Sequence, residues 1–153
     1  MREELLRKLT QNVKKILYGL LKTGKQNIDG YSALIWACQK NSTELVEMLI
    51  ENKADPDLQD RHGYTALLWM CINKNTELAN ILIVPKNGIK PNLDLQDKHG
   101  WTALRWACYK NNIEIANILM SNKANLNIQD NQGWTPLKWA CRDCNIFDAI
   151  KKT

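Results

Sequence analysis

Four stretches of this 153-residue chain align on one another: GYSALIWACQKN from Gly30, GYTALLWMCINKN from Gly63, GWTALRWACYKN from Gly100 and GWTPLKWACRDC from Gly133. The glycines lie 33, 37 and 33 residues apart. No other feature constrains the fold so tightly. Self-similarity at that period means one supersecondary unit used repeatedly, each copy burying its apolar face only by stacking on the next. An Asp-x-x-Gly stretch precedes three copies: Asp60–Gly63, Asp97–Gly100 and Asp130–Gly133.

Local chemistry predicts the unit. Asp-x-x-Gly is a turn, with Asp hydrogen-bonding its own backbone and Gly supplying φ > 0. Ser32, Thr65, Thr102 and Thr135 follow as N-caps, and Pro136 suits a first helical position. A second helix opens near NSTE, KNTE or NNIE and carries LVEMLI (45–50), LANILI (78–83) or IANILM (115–120). A polar loop such as NKADPDLQD leads to the next turn. Helices of two to three turns are marginal alone, so stability must come from stacked neighbours.

A turn and two helices per 33 residues resembles the ankyrin repeat, and the resemblance covers nearly the whole chain. Asp130, Gly133, Thr135, Pro136, Leu137 and Ala140 match the family's D-x-x-G-x-T-P-L-H-x-A-A motif in the last copy. Asp97, Gly100, Thr102, Leu104 and Ala107 match it in the third. Glu44, Glu77 and Glu114 match the second-helix Glu, while Ala54, Asp55, Ala124 and Asn125 match the loop. Departures are clear. The motif His is Ile35, Leu68, Arg105 or Lys138, its second Ala is always Cys, Met70 replaces the first, and the loop Gly is Lys53 or Lys123. The resemblance implies an all-α solenoid of stacked helix-turn-helix units with β-turn fingers, forming a single domain over 1–153. Its expected divisions are an N-terminal capping repeat at 1–29, repeats at 30–62, 63–99 and 100–132, and a C-terminal capping repeat at 133–153. Leu5, Leu6, Leu9, Val13, Ile16, Leu17, Leu20 and Leu21 keep apolar spacing. That spacing suits one long helix, or a shortened repeat turning at 10–12, which is the preferred reading. The 37-residue interval places about four extra residues in VPKNGIKPN (84–92), read as a tolerated surface insertion.

Helical geometry sorts the tryptophans. Leu104, Ala107 and Cys108 share one face, and their small side chains make it core. Trp106 stands about 200° from Leu104, with Tyr109 and Lys110 as its neighbours. Trp36 groups likewise with Gln39 and Lys40, Trp69 with Ile72 and Asn73, and Trp139 with Arg142 and Asp143. The resemblance implies that this face lines a concave groove overhung by turn tips. Those tips would carry Arg61, His62, Tyr64, Lys98, His99, Trp101, Asn131, Gln132 and Trp134, with Arg105 and Lys138 near the groove's edge. The helix tryptophans either face the groove or pack flat on the next repeat. The tip aromatics either meet a partner or lean on the neighbouring finger, and both roles are compatible. Trp, Tyr and Arg are the types that dominate interface hot spots.

Composition excludes several classes. No run of 18 apolar residues exists to span a membrane, and MREELLRKLT has no signal-peptide core. Five cysteines, an odd number, argue against a closed disulfide framework and for reduced thiols in cytosol or nucleus. Cys38, Cys71, Cys108 and Cys141 are expected in the core. Cys141-x-x-Cys144 lacks a second pair for zinc. His62 and His99 sit one repeat apart, roughly 10 Å, too far to share a metal ion. No catalytic constellation, cofactor site or metal site is expected. The backed reading is a monomeric, non-enzymatic module for a partner protein with an acidic surface, given a net charge of +5 and a pI of 9.0. Small proteins of this kind resemble adaptors and inhibitors, and the Asn- and Lys-rich composition suits an AT-rich genome such as that of a large DNA virus or an intracellular bacterium that manipulates its host. Two alternatives stand beside it: single-stranded nucleic acid stacked on basic and aromatic groove residues, and a passive scaffold.

Overall fold

A computed structural model describes residues 26–85 and 88–142, with the side chain of Arg142 excepted. The N-terminal segment, read above as one helix or a capping repeat, and most of the C-terminal cap lie outside these residues. Seven helices follow in chain order: α1 Ala33–Gln39, α2 Thr43–Glu51, α3 Ala66–Asn73, α4 Thr76–Ile83, α5 Ala103–Tyr109, α6 Ile113–Ser121 and α7 Pro136–Arg142. No strand occurs among the described residues. Helices α1, α3, α5 and α7 pack one on the next as an inner layer, while α2, α4 and α6 form an outer layer behind them. The all-α solenoid is therefore observed.

The expected caps start the inner helices. Ser32, Thr65 and Thr102 side chains accept from the backbone N–H groups of Ile35, Leu68 and Arg105, and Thr135 Oγ1 accepts from Lys138 N. In the outer layer Asn75 and Asn112 play the same part, whereas Ser42 makes no side-chain cap bond. The core runs between the layers. Leu49, Leu82 and Leu119 of the outer helices are fully buried against Ala37, Met70, Cys71 and Ala107 of the inner ones. Each such leucine contributes about 2 kcal/mol by leaving water. Small residues on the inner helices let the layers approach closely, and Met70 fills its place without exposure. Lys53 and Lys123, which stand where the resemblance implies glycine, adopt left-handed φ values of 59° and 67°.

The turns project as fingers that lie edge to edge. Backbone rungs join them: Arg61 N to Asp29 O, Lys98 N to His62 O and Asn131 N to His99 O, each 3.1 Å. A glutamine ladder runs beside these rungs. Gln26, Gln59 and Gln96 each donate to a carbonyl of their own finger and to the backbone of the next glutamine, with Gln59 Nε2 lying 2.8 Å from Gly63 O and 2.9 Å from Gln96 O. Gly63 shows how close the fingers come. Its φ is +82°, and an added Cβ would lie 2.9 Å from Asp97 Cα.

Candidate functional site

Each finger aspartate does more than shape its turn. Asp97 Oδ1 accepts from the backbone N–H of His99 at 2.8 Å and of Trp101 at 2.9 Å. Its Oδ2 accepts from the indole of Trp106, nine residues on, at 2.9 Å. The pattern recurs. Asp60 holds His62 N, Tyr64 N and Trp69 Nε1. Asp130 holds Gln132 N, Trp134 N and Trp139 Nε1. All three aspartates are buried, so these charge-assisted bonds replace lost water and tie each finger to its inner helix. Burial pushes the Asp130 carboxyl upward, but the N–H donors of Trp134 and Gln132, the Trp139 indole and the Arg105 guanidinium outweigh it, and the net shift is downward.

The tied indoles form a ladder with the finger rings. Tyr31 meets Trp69 at 6.3 Å between centroids, Tyr64 meets Trp69 at 5.4 Å and Trp106 at 6.0 Å. Trp101 meets Trp106 at 4.7 Å and Trp139 at 6.3 Å, and Trp134 meets Trp139 at 5.2 Å. Tyr64 and Trp101 thus each bridge their own helix tryptophan and that of the following repeat, while Tyr31 reaches only the following one and Trp134 only its own. Every ring in the series is partly buried, neither sealed nor free. These distances lie in the range where aromatic pairs attract beyond their buried area. The tip aromatics Tyr64 and Trp101 lean on the following unit, and Trp69, Trp106 and Trp139 pack across repeats.

Arg105 departs from its expected place near the groove's edge. Its side chain is 1% exposed, with the guanidinium carbon 3.9 Å from the Trp101 ring centroid and 3.7 Å from that of Trp139. Nε lies 3.6 Å from Asp130 Oδ2, and no guanidinium nitrogen has a hydrogen-bond partner. Burial lowers its pKa to about 10, opposed chiefly by the Asp130 charge. Two indole faces hold the cation where water does not reach, a desolvated cation–π arrangement. Arg105 is therefore part of the packing between the third and fourth repeats, a correction to its placement on the groove surface.

The remaining expected residues are more open. Arg61, His62, Lys98, His99, Asn131, Gln132, Tyr109 and Lys138 are exposed, and Lys110 is partly so. Tyr109 is 51% exposed, and Lys110 Nζ lies 5.6 Å from its ring and 5.8 Å from that of Trp106, as the helical spacing predicts. Arg61 is tied to Asp29 at 2.7 Å. His62 and His99 each lie near the aromatic of their own finger, Tyr64 and Trp101. Cys38, Cys71 and Cys108 are buried free thiols, and burial drives the Cys71 thiol up to about 12 and that of Cys108 up to about 11. Such thiols stay protonated at neutral pH and are poor nucleophiles or ligands. Cys141, expected in the core, is exposed. No cluster of three metal-ligating side chains occurs among the described residues, and no helix there is long and apolar enough to cross a membrane.

Two elements escaped the sequence reading. The aspartate–indole tie was visible as a constant nine-residue interval from Asp60, Asp97 and Asp130 to Trp69, Trp106 and Trp139. Trp36, at 49% exposure the most open tryptophan described, was visible through Asn27, which stands at that interval before it. The glutamine ladder had its own signal in Gln26, Gln59, Gln96 and Gln129, each one residue before the turn.

A family model for ankyrin repeats, in three copies, matches residues 6–94 and 89–152. No curated protein matches the chain. Ankyrin repeats generally serve as protein–protein interaction modules and are typically not enzymes. With the repeat period, the stacked helix pairs and the fingers in agreement, the chain belongs to the ankyrin repeat family.

Proposed function

We propose that the chain is a non-enzymatic adaptor or inhibitor that holds a partner protein on the face made by the inner helices and fingers. The observation that carries this is the partly exposed ring ladder, bordered by exposed Lys98, Lys138 and Tyr109 and by Lys110. A rigid aromatic surface loses little side-chain entropy on binding, and the cations beside it favour an acidic segment and speed its approach. The ladder supplies rigidity, and the open residues Trp36, Tyr109, Lys110 and Lys138 supply the contacts. Trp101 and Trp134 contribute through their outward edges. Reduced cysteines suit the cytosol or nucleus. The rings meet one another at tilted or edge-on angles and Arg105 is buried, which leaves a poor platform for successive bases.

The test is affinity capture with the wild type and with a Tyr109→Ala, Lys110→Glu, Lys138→Glu variant whose helicity is checked by circular dichroism. The variant should lose the partner that the wild type retains. Equal capture by both would place recognition elsewhere on the molecule.

A further inference from the structure

The described residues of the insertion, 84–85 and 88–92, stay against the stack. Gly88 packs on α2 so tightly that a Cβ there would lie 2.5 Å from Ile50 Cγ2. Val84 and Pro85, just past the end of α4, join the C-terminal halves of α2 and α4 around a cleft of about 310 Å³. Glu47, Ile50, Glu51, Ile81, Val84 and Pro85 line it, with Asn80 at its side. The outer helices are splayed here, since α2 and α4 touch less extensively than α4 and α6. The cleft lies on the outer layer, away from the aromatic ladder, and the concave-face reading does not involve it.

Its chemistry is of two kinds. Ile81, Val84 and Pro85 offer an apolar wall, and Val84 is 52% exposed. Glu47 and Glu51 stand four residues apart on one helix face, both exposed, and neither is in an ion pair among the described residues. Helices α2 and α4 both end here, at Glu51 and Ile83, and the negative ends of their dipoles add to the potential of the two carboxylates. A space of this size is at the small end for ligand sites and takes a side chain or two.

We propose that this cleft docks an arginine of a partner protein segment. The aliphatic stem lies along Ile81, Val84 and Pro85, and the guanidinium meets Glu47 and Glu51. Arginine suits the place because its stem is apolar and its planar head forms paired bonds to carboxylates. The site is opposite in charge to the concave face and operates independently of it.

Backbone-amide NMR of the isotope-labelled chain, titrated with the tripeptide acetyl-Leu-Arg-Leu amide, tests this. Saturable shifts should centre on Ile50, Ile81 and Val84. Replacing arginine by neutral citrulline in the peptide should weaken binding about threefold to fivefold, and Glu47→Gln with Glu51→Gln in the protein should do the same with an unchanged circular dichroism spectrum. Equal binding of the two peptides, unaffected binding by the double variant, or no shifts at these residues at millimolar peptide would overturn the proposal. Shifts at Tyr109 and Trp36 instead would also overturn it while leaving the concave face standing.

Discussion

The first repeat and the three after it place a tryptophan at the same helical position and treat it differently. Trp69, Trp106 and Trp139 donate to a finger aspartate and sit within the ring ladder. Trp36 is half exposed. One atom accounts for the missing hydrogen bond. Asn27 occupies the aspartate's place, and its Oδ1 accepts from Asp29 N and Tyr31 N at 2.9 Å, so the turn itself is intact. Its other arm is an NH₂ group, a donor, which cannot accept from an indole N–H. The same scaffold thus stores three indoles as structure and leaves one on display. A row of identical letters in a repeat protein need not carry one role.

The comparison can be broken most severely at Asp97→Ala, which removes the acceptor of three hydrogen bonds in the middle of the stack. It should cost about 3 kcal/mol in urea unfolding, and a loss near zero would deny the aspartate its place. Asp97→Asn is subtler, because the amide oxygen keeps the turn while the indole loses its acceptor. A cost of about 1.5 kcal/mol is expected, with Trp106 emission shifted to the red as the ring gains water. The converse change, Asn27→Asp, supplies the first repeat with the missing acceptor. It should raise stability by about 1 kcal/mol and lower the accessibility of Trp36 to a quencher such as acrylamide.

Arg105 sharpens the comparison along another line. The same helical position holds Ile35 in the first repeat and Leu68 in the second, each 1% exposed. Asp60 keeps its three donors without an arginine stacked on the adjoining rings. Arg105→Leu should therefore change unfolding free energy by less than about 1 kcal/mol, since a desolvated cation without hydrogen bonds is offset only by its two indoles and one ion pair. A loss of several kcal/mol would make the cation–π sandwich the main joint between the third and fourth repeats.

The fold was legible because period, turn residues and caps all point the same way. Gly63, Thr102 and Pro136 each name their own position, and the core face of α5 follows from Leu104, Ala107 and Cys108 alone. The site was legible in part. Spacing put Trp106 beside Tyr109 and Lys110, and they are neighbours. The fate of Arg105 was hidden, because a cation is assigned to water until the two tryptophans that flank it are seen together. One of these, Trp139, lies in the next repeat, 34 residues away in sequence. The insertion at 84–92 read as a tolerated surface insertion, since nothing local in VPKNGIKPN reveals that Gly88 reaches back to Ile50.

Hydrogen exchange at the indole N–H groups reports the difference between the first repeat and the others most directly. Their NMR signals can be assigned by single Trp→Phe changes. The Nε1 protons of Trp69, Trp106 and Trp139 should exchange slowly and that of Trp36 near the rate of free indole. Uniform protection of all four, or rapid exchange at Trp106, would contradict the account.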